Sequence, residues 1–451
     1  MRGTTLKALA TACLVGVFFA QETRAIAETL SGNFEALFEG RKNRYHKGSL
    51  VYGGHRFGGN EMPFSLYSRF TLEDLPQGAS AVAYFRYRDD FAYNGYPDES
   101  GQVDVFLGYV EIPRIADRLS LVLGRQFIHK AGNVFLADAI QGDLEITKSL
   151  ALNFFYGKPR DLETFSEWYN QDENIDEKIW GISAKFSLPF QISGEVGYME
   201  RDLDYPDEHD ELLHLTWQKP LSFPIDSLLY QEMVYNNSQG GFEDVVFGTQ
   251  MFLTQKFSMK LEGTYYDTNL WEREAYATDM FTLNTMDDLI FGLFSASSLW
   301  QSKVGFDYAL NPGLSVYADF AYQTYETFPG ERTKGYSFEP GLRKTFGERN
   351  EHALSLGMFY LKSYGGEALG PRAEYSLKLT QRLEWENWFN MVHYDKTTNQ
   401  SDQAFNFRTM VSYLLFRDCK LQGFFEANSN DFYHDDIRGG LMAFYNFDTK
   451  F

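Results

Sequence analysis

Two short runs hold side chains that could bind a metal ion or move a proton: Glu208-His209-Asp210-Glu211 and His434-Asp435-Asp436. Carboxylate-rich clusters can ligate calcium, but neither run has the glycine-placed spacing of a calcium-binding loop. Both lie in acidic stretches, where a passing ion contact is the ordinary expectation. His214 shares the parity of Asp210 along an alternating segment, yet no serine nucleophile motif accompanies the pair. The chain has no glycine-rich phosphate loop, no H-E-x-x-H and no C-x-x-C-H. Of its 2 cysteines, Cys13 falls in the N-terminal apolar run and Cys419 in the turn Arg417-Asp418-Cys419-Lys420, so no internal disulfide or thiolate metal site is expected. The expectation is a protein with no catalytic residue, no metal and no cofactor, not an enzyme and with no nucleic-acid partner.

The chemistry that does recur is charge placed at every second residue. Ser258, Lys260, Glu262 and Thr264 alternate with Phe257, Met259, Leu261, Gly263 and Tyr265. Arg372, Glu374, Ser376 and Lys378 alternate with Ala373, Tyr375, Leu377 and Leu379. Asn406, Arg408 and Ser412 alternate with Phe405, Phe407, Val411 and Tyr413. A period of two over this length is the mark of a strand with one face in apolar contact. Across the chain the polar faces carry the bases Arg69, Arg86, Arg88, Lys185, Lys260, Lys303, Arg343, Arg372, Lys378, Arg408 and Lys420. They carry the acids Asp104, Glu195, Glu262, Asp307, Asp319, Glu339, Glu374, Glu384, Glu386 and Glu426, with Glu35 and Glu39 at the start of the chain. These are the candidate site residues, expected to line a common polar lumen and to pair across neighbouring strands.

The elements that must position them follow from composition. Aromatics make up 17% of the chain, with 41 Phe and 29 Tyr, while 23% of residues are charged. A transmembrane β-barrel reconciles the two, because an outward apolar face with aromatic girdles alternates with a polar interior. A soluble sandwich or propeller would instead show polar outward positions. No stretch after the N-terminal run is apolar for long enough to be a spanning helix.

The final segment runs Leu441-Met442-Ala443-Phe444-Tyr445-Asn446-Phe447-Asp448-Thr449-Lys450-Phe451, with Ala443, Tyr445, Phe447 and Phe451 on one parity and Asn446 and Asp448 on the other. It resembles the C-terminal strand of Gram-negative outer-membrane β-barrels. That resemblance implies that Tyr445, Phe447 and Phe451 form the signal read by the barrel assembly machinery. Thr449 departs from the pattern, standing where an aromatic is usual.

Strands are expected at 33–40, 63–72, 81–89, 102–112, 117–127, 138–146, 149–157, 177–188, 190–201, 209–219, 226–236, 242–254, 256–267, 298–310, 313–325, 334–346, 351–363, 370–381, 382–394, 403–416, 418–428 and 437–449. That is one all-β, single-domain, antiparallel up-and-down barrel of about 22 strands, within a range of 18–22, over residues 28–451. The weakest alternation is in 138–146 and 226–236. Short connections such as Leu188-Pro189-Phe190 and Asn311-Pro312-Gly313 alternate with longer polar ones at 41–60, 158–176, 202–208, 268–297, 326–333, 364–370, 395–402 and 429–436. An even count with that asymmetry puts both ends of the barrel in the periplasm. Ahead of it, the basic Arg2 and Lys7, the apolar run Ala8 to Ala20 and Ala25-Ile26-Ala27 read as a signal peptide, residues 1–27, cleaved near Ala27. No N-terminal plug domain is expected between that site and the first strand.

The formal charge is −21, but the polar faces nearly cancel. The excess is expected in connections: Asp98-Glu99, Asp161 to Glu177, Asp202 to Glu211 and Asn428 to Asp436. Such a rim is either simply solvated, or bridged by divalent cations to lipopolysaccharide phosphates, or it enriches cations at the mouth of a pore. Leu123-Gly124-Arg125-Gln126 with Ala137-Asp138-Ala139-Ile140 and Gly142 resembles, over some 20 residues, a stretch of alginate-export-type outer-membrane proteins. Export of an acidic polymer would call for a strongly basic wall, which these faces lack. The leading reading is an outer-membrane porin-like channel for passive passage of small hydrophilic solutes. The alternative is the barrel sheath of an electron conduit around a separate multihaem cytochrome or another periplasmic partner, and polysaccharide export ranks below both. Apolar residues in 268–297, among them Trp271, Met280 and Phe281, suit either a loop packed above the membrane or one folded into the lumen.

Overall fold

In a computed structural model, the described residues are 29–45, 60–90, 102–130, 133–160, 178–203, 208–222, 225–267, 296–327, 331–363, 366–396, 401–429 and 433–450. Residues 1–27, the connection 268–295 and Phe451 fall outside them, and with them the expected signal peptide, the longest loop and the last residue of the assembly signal.

The alternating segments form one antiparallel sheet of 23 strands. In chain order they are β1 Thr29–Tyr45, β2 Asn60–Glu61, β3 Pro63–Leu75, β4 Ala79–Asp90, β5 Gln102–Ile115, β6 Leu119–Lys130, β7 Asn133–Thr147 and β8 Leu150–Pro159. Then come β9 Lys178–Leu188, β10 Ile192–Leu203, β11 Glu208–Leu221, β12 Asp226–Asn236, β13 Gly241–Thr254, β14 Phe257–Asp267, β15 Ala296–Asn311 and β16 Leu314–Thr327. The remainder are β17 Glu331–Phe346, β18 His352–Ser363, β19 Gly366–Lys378, β20 Leu383–Lys396, β21 Ser401–Phe416, β22 Cys419–Ser429 and β23 Tyr433–Lys450. The two-residue β2 sits one residue before β3 and pairs with the same neighbour, so the two make one stave and the wall has 22. β1 pairs with β3 on one side and with β23 on the other, from Thr29↔Lys450 to Tyr45↔Tyr433, and the sheet closes. Closure satisfies every ladder, which is the condition for crossing a bilayer with strands.

Both weakly alternating segments are strands. They lie in β7 and β12. Several connections are shorter than the sequence suggests, because the ladder continues where the apolar pattern stops. Arg41 to Tyr45 pairs with Arg438 to Tyr433, although 41–60 and 429–436 read as loops. Above the membrane a strand keeps its hydrogen bonds but needs no apolar face.

Thr29 and Lys450 meet at the end that bears the tight turns. In the three-residue connections 116–118 and 189–191, Ala116 and Asp117 (φ 52° and 61°), and Phe190 and Gln191 (φ 66° and 61°), hold two successive left-handed residues, as the centre of a type I′ turn does. Non-glycine residues pay for that geometry, and Phe190 is also 84% exposed. Replacing Phe190-Gln191 with Asn-Gly is therefore expected to stabilise the barrel by about 1 kcal/mol, read from urea unfolding in detergent.

The apolar residues form a band on one face. Val103, Ile140, Phe154, Trp180, Val196, Phe247, Trp300, Phe320, Val411 and Leu441 are all substantially exposed. So much exposed apolar surface suits lipid, not water. At the closing seam, Phe34 packs on Phe70 (5.6 Å) and on Phe447 (5.7 Å), and Phe70 on Phe447 (6.1 Å). Gly32 makes the seat: a Cβ there would lie 2.7 Å from the Phe447 ring and 2.2 Å from the Arg69 carbonyl oxygen. Phe447→Ala empties this cluster and is expected to cost about 2–3 kcal/mol, from the lost ring contacts with Phe34, Phe70 and Tyr445 and the lost burial. Its midpoint in guanidinium, compared with that of Phe320→Ala on an open stretch of the same face, checks it.

Candidate inner wall

Register fixes which side chains share the other face. Glu262 stands opposite Gly248 and Lys303, and Lys260 opposite Gln250 and Gly305. Asp319 stands opposite Gly305 and Glu339, Arg343 opposite Ser315 and Ser355, and Glu374 opposite Ser355 and Trp388. Lys378 faces Glu384, Glu386 faces Ser376, Arg408 faces Trp388 and Glu426, and Lys420 faces Leu414 and Phe444. Glu35 lies opposite Phe444 and Tyr67, and Arg69 opposite Asn33 and Tyr84.

Ion pairs knit this face. Asp104 meets Arg86 at 2.7 Å and Arg88 at 3.3 Å, and Lys260 meets Glu262 at 2.7 Å. Four contacts leap over an intervening strand. Lys185 on β9 reaches Asp143 on β7 (3.2 Å), and Tyr230 on β12 donates to Glu262 on β14 (2.6 Å). Arg343 on β17 reaches Asp307 on β15 (3.1 Å), and Arg372 on β19 reaches Glu339 on β17 (3.3 Å). Strands two apart are separated by about 9.6 Å, so their side chains touch only where they converge, on a concave wall. Aromatic rings hold several guanidinium groups flat: Arg86 over Phe106 (4.7 Å), Arg343 over Tyr317 (4.2 Å) and Arg372 over Phe359 (4.7 Å). Lys303 and Asp319 stand 3.9 Å apart, and Glu195 lies 3.5 Å from His214 Nε2.

The sequence reading missed part of this face. Asp143, Asp210, Glu232, Glu243, Asp244 and Asp436 belong to it, with Arg201 and Arg438 as the added bases. The polar faces therefore do not cancel: acids outnumber bases. Asp202 and Glu208, expected in the connection 202–208, lie in β10 and β11. The run Glu208-His209-Asp210-Glu211 is thereby split between two faces. Asp210 turns inward to Arg201 (2.6 Å) and accepts from Asn236 (2.8 Å), which also donates to Glu243 (2.8 Å). His209 stays on the other face, 3.6 Å from Asp202. Among the described residues no three of His, Cys, Asp and Glu stand close enough to hold a metal ion. Asp436 is tied to Arg438 (2.8 Å). The side chains of His434 and Asp435 lie outside the described residues.

Toward the end with the longer connections the inner face also carries apolar patches. Ile128, Phe155, Ile179, Met199, Leu212 and Val234 form one buried cluster, and Leu361, Ala368, Val392, Tyr394 and Ala404 another. Toward the other end lies a recess of about 670 Å³, lined by Arg343, Glu374, Glu386 and Trp388 among others.

No protein-family model matches the chain, and no curated protein does. Among solved structures, a mutant of the ferric enterobactin receptor of Pseudomonas aeruginosa is similar at a TM-score of 0.59 and 9% identity, over 93% of this chain and 80% of that one. That likeness is one of fold. The P. aeruginosa outer-membrane protein OpdK, solved with vanillate, matches at a TM-score of 0.45 and 9% identity, over 93% of this chain and 98% of that one. Acinetobacter baumannii OccAB3 matches at 0.44 and 9%, over 93% and 99%.

Proposed function

We propose that the chain is an outer-membrane channel of Gram-negative type, through which small hydrophilic solutes pass passively. The observation that carries this is the closed wall of 22 staves with an apolar outer face and a charged, ion-paired inner one. A round barrel of this size would span roughly 40–45 Å between opposite backbones, from a strand spacing of ~4.8 Å and a tilt of ~40°. Selection would come from the width left by inward side chains and from the field of the wall. Lipid surrounds the apolar band, and the barrel assembly machinery reads the terminal strand through Tyr445, Phe447 and Phe451.

The same width favours a second reading, a sheath around a separate multihaem cytochrome. Liposome swelling with neutral sugars of graded size tests the first. Swelling that falls off with sugar size supports the channel. Sealed liposomes, from protein that co-purifies with a haem-staining subunit, would refute it in favour of the sheath. Export of an acidic polymer fits poorly with an acidic inner wall.

A further inference from the structure

The recess of about 670 Å³ exists because small side chains meet on the inner face. Ser315 on β16, Ala353 and Ser355 on β18 and Ser376 on β19 make its floor. Arg343 stands on one side, and Glu374, Glu386 and Trp388 on the other. One transverse row runs Ser315, Arg343, Ser355, Glu374, Trp388 across β16 to β20. The volume falls within the ~300–1,000 Å³ usual for small-molecule sites.

The charges on the two sides differ in what they already hold. Arg343 Nη1 donates to Asp307 (3.1 Å), and its guanidinium lies over Tyr317 (4.2 Å). Both partners belong to β15 and β16, so Arg343 leans away from Glu374. No ion pair closes across Ser355, although Arg372 and Glu339 bridge the same span one row higher. Arg372, two residues before Glu374, is thereby drawn toward β17 and lies over Phe359 (4.7 Å). Lys344 takes the outer parity, over Phe346 (5.8 Å), and Lys256 sits in the turn before β14, several staves from Glu374. Arg408 and Lys420 act on Glu386 from the β21 side, with Glu384 opposing them. Arg408 is itself stacked over Trp388 (5.5 Å) and Phe424 (5.6 Å).

The bases nearest the recess are thus engaged elsewhere, and its carboxylates are not. Glu374 is exposed and Glu386 half-buried, and neither has an ion pair or a side-chain hydrogen bond among the described residues. They are diagonal neighbours across β19 and β20, about 7–8 Å apart at the backbone, and one ammonium group between them reaches both. An anion would meet these carboxylates and an Arg343 already matched by Asp307. A bare metal ion would leave the Trp388 ring unused, whereas aromatic rings attract ammonium groups and pack on apolar ones.

We propose that the recess binds organic cations, with an ammonium group between Glu374 and Glu386 and its apolar body against Trp388. The proposal rests on the reading of the inner face as the wall of a solute path, and names a class of solute for it. Passage requires such a site to be weak, so that what enters can leave.

The test uses the full chain folded in detergent, with binding read by ligand-observed NMR titration. The probes are phenethylamine, 2-phenylethanol and phenylacetate, which share one apolar body and differ in charge. Phenethylamine is expected to bind at least about tenfold more tightly than either of the others. Glu374→Gln with Glu386→Gln should remove that advantage. Neither carboxylate holds another side chain, so the wall keeps its fold. Ser355→Met fills the recess without changing its charge and should also abolish binding. Glu232→Gln with Asp244→Asn removes as much charge elsewhere on the wall and should leave the affinity within about twofold, because screening confines distant charges. Equal binding of the three probes, tightest binding of phenylacetate, or an affinity unchanged in either recess variant overturns the proposal. An equal loss in the Glu232 and Asp244 variant overturns it in favour of a diffuse field. Liposome swelling separates the premises. Swelling without amine binding refutes the site and leaves the channel standing, whereas amine binding by a barrel whose liposomes stay sealed supports the site and refutes the channel.

Discussion

Arg201→Met should be among the most damaging single substitutions in the barrel, costing about 3–5 kcal/mol. Arg201 and Asp210 are both almost wholly buried, with 5% and 2% of their side chains exposed. Removing the guanidinium leaves a buried carboxylate with only Asn236 and Gln239 to donate to it. The penalty is the desolvation of an uncompensated charge, so it should vanish when the charge does. Arg201→Met combined with Asp210→Leu should recover most of the loss, since an apolar pair of similar volume fits beside Met199 and Leu212. Urea unfolding of the four proteins of this cycle, in one detergent, gives the coupling directly. Additive losses would show that the pair is not what holds β10 to β11.

The second large effect concerns ions. Several inner-face carboxylates have no ion pair within 4 Å among the described residues, and Glu232, Asp244, Glu374 and Glu386 are four of them. Asp244 Oδ1 has no hydrogen-bond partner either. Paired charges on a wall act at short range and largely cancel beyond it, whereas unpaired ones set the potential along the conduit. The wild-type channel should therefore prefer cations. Replacing all four by their amides should lower the potassium-over-chloride permeability ratio roughly two- to threefold, most strongly at low salt where screening is weak. Zero-current potentials in a salt gradient read this. An unchanged ratio would place the selectivity elsewhere, for example at the acidic rim.

How much of this was legible in the sequence depends on what each residue faces. Where an apolar lipid face meets a charged inner face, as in β14 or β19, the period of two is plain. In β7 it is blurred because Ala137 and Ala139 turn inward onto Ile128 and Phe155, so both faces are apolar. In β12 the faces exchange character. Leu228, Tyr230 and Val234 point inward, while Gln231 points outward and accepts from the Trp217 indole (2.8 Å). Strand ends were hidden for a related reason: the segment Arg41 to Arg44 has no apolar face yet keeps its ladder with β23.

The charged wall was legible as parity but not as pairing. Contacts such as Arg343 with Asp307 depend on curvature, which no single strand encodes. The Arg201–Asp210 pair was missed because the two residues end the expected strands 190–201 and 209–219, beside an acid-dense run that reads as solvated. Only the register of β10 with β11 shows that one of its carboxylates is buried and paired.

A channel of this kind requires that the closed wall enclose an open, water-filled path. Single-channel recording of the purified chain in a planar bilayer tests it most directly. Stable conductance steps that scale with salt concentration are expected, with a zero-current potential showing cation preference. Bilayers that stay sealed despite verified insertion of the folded barrel would contradict it.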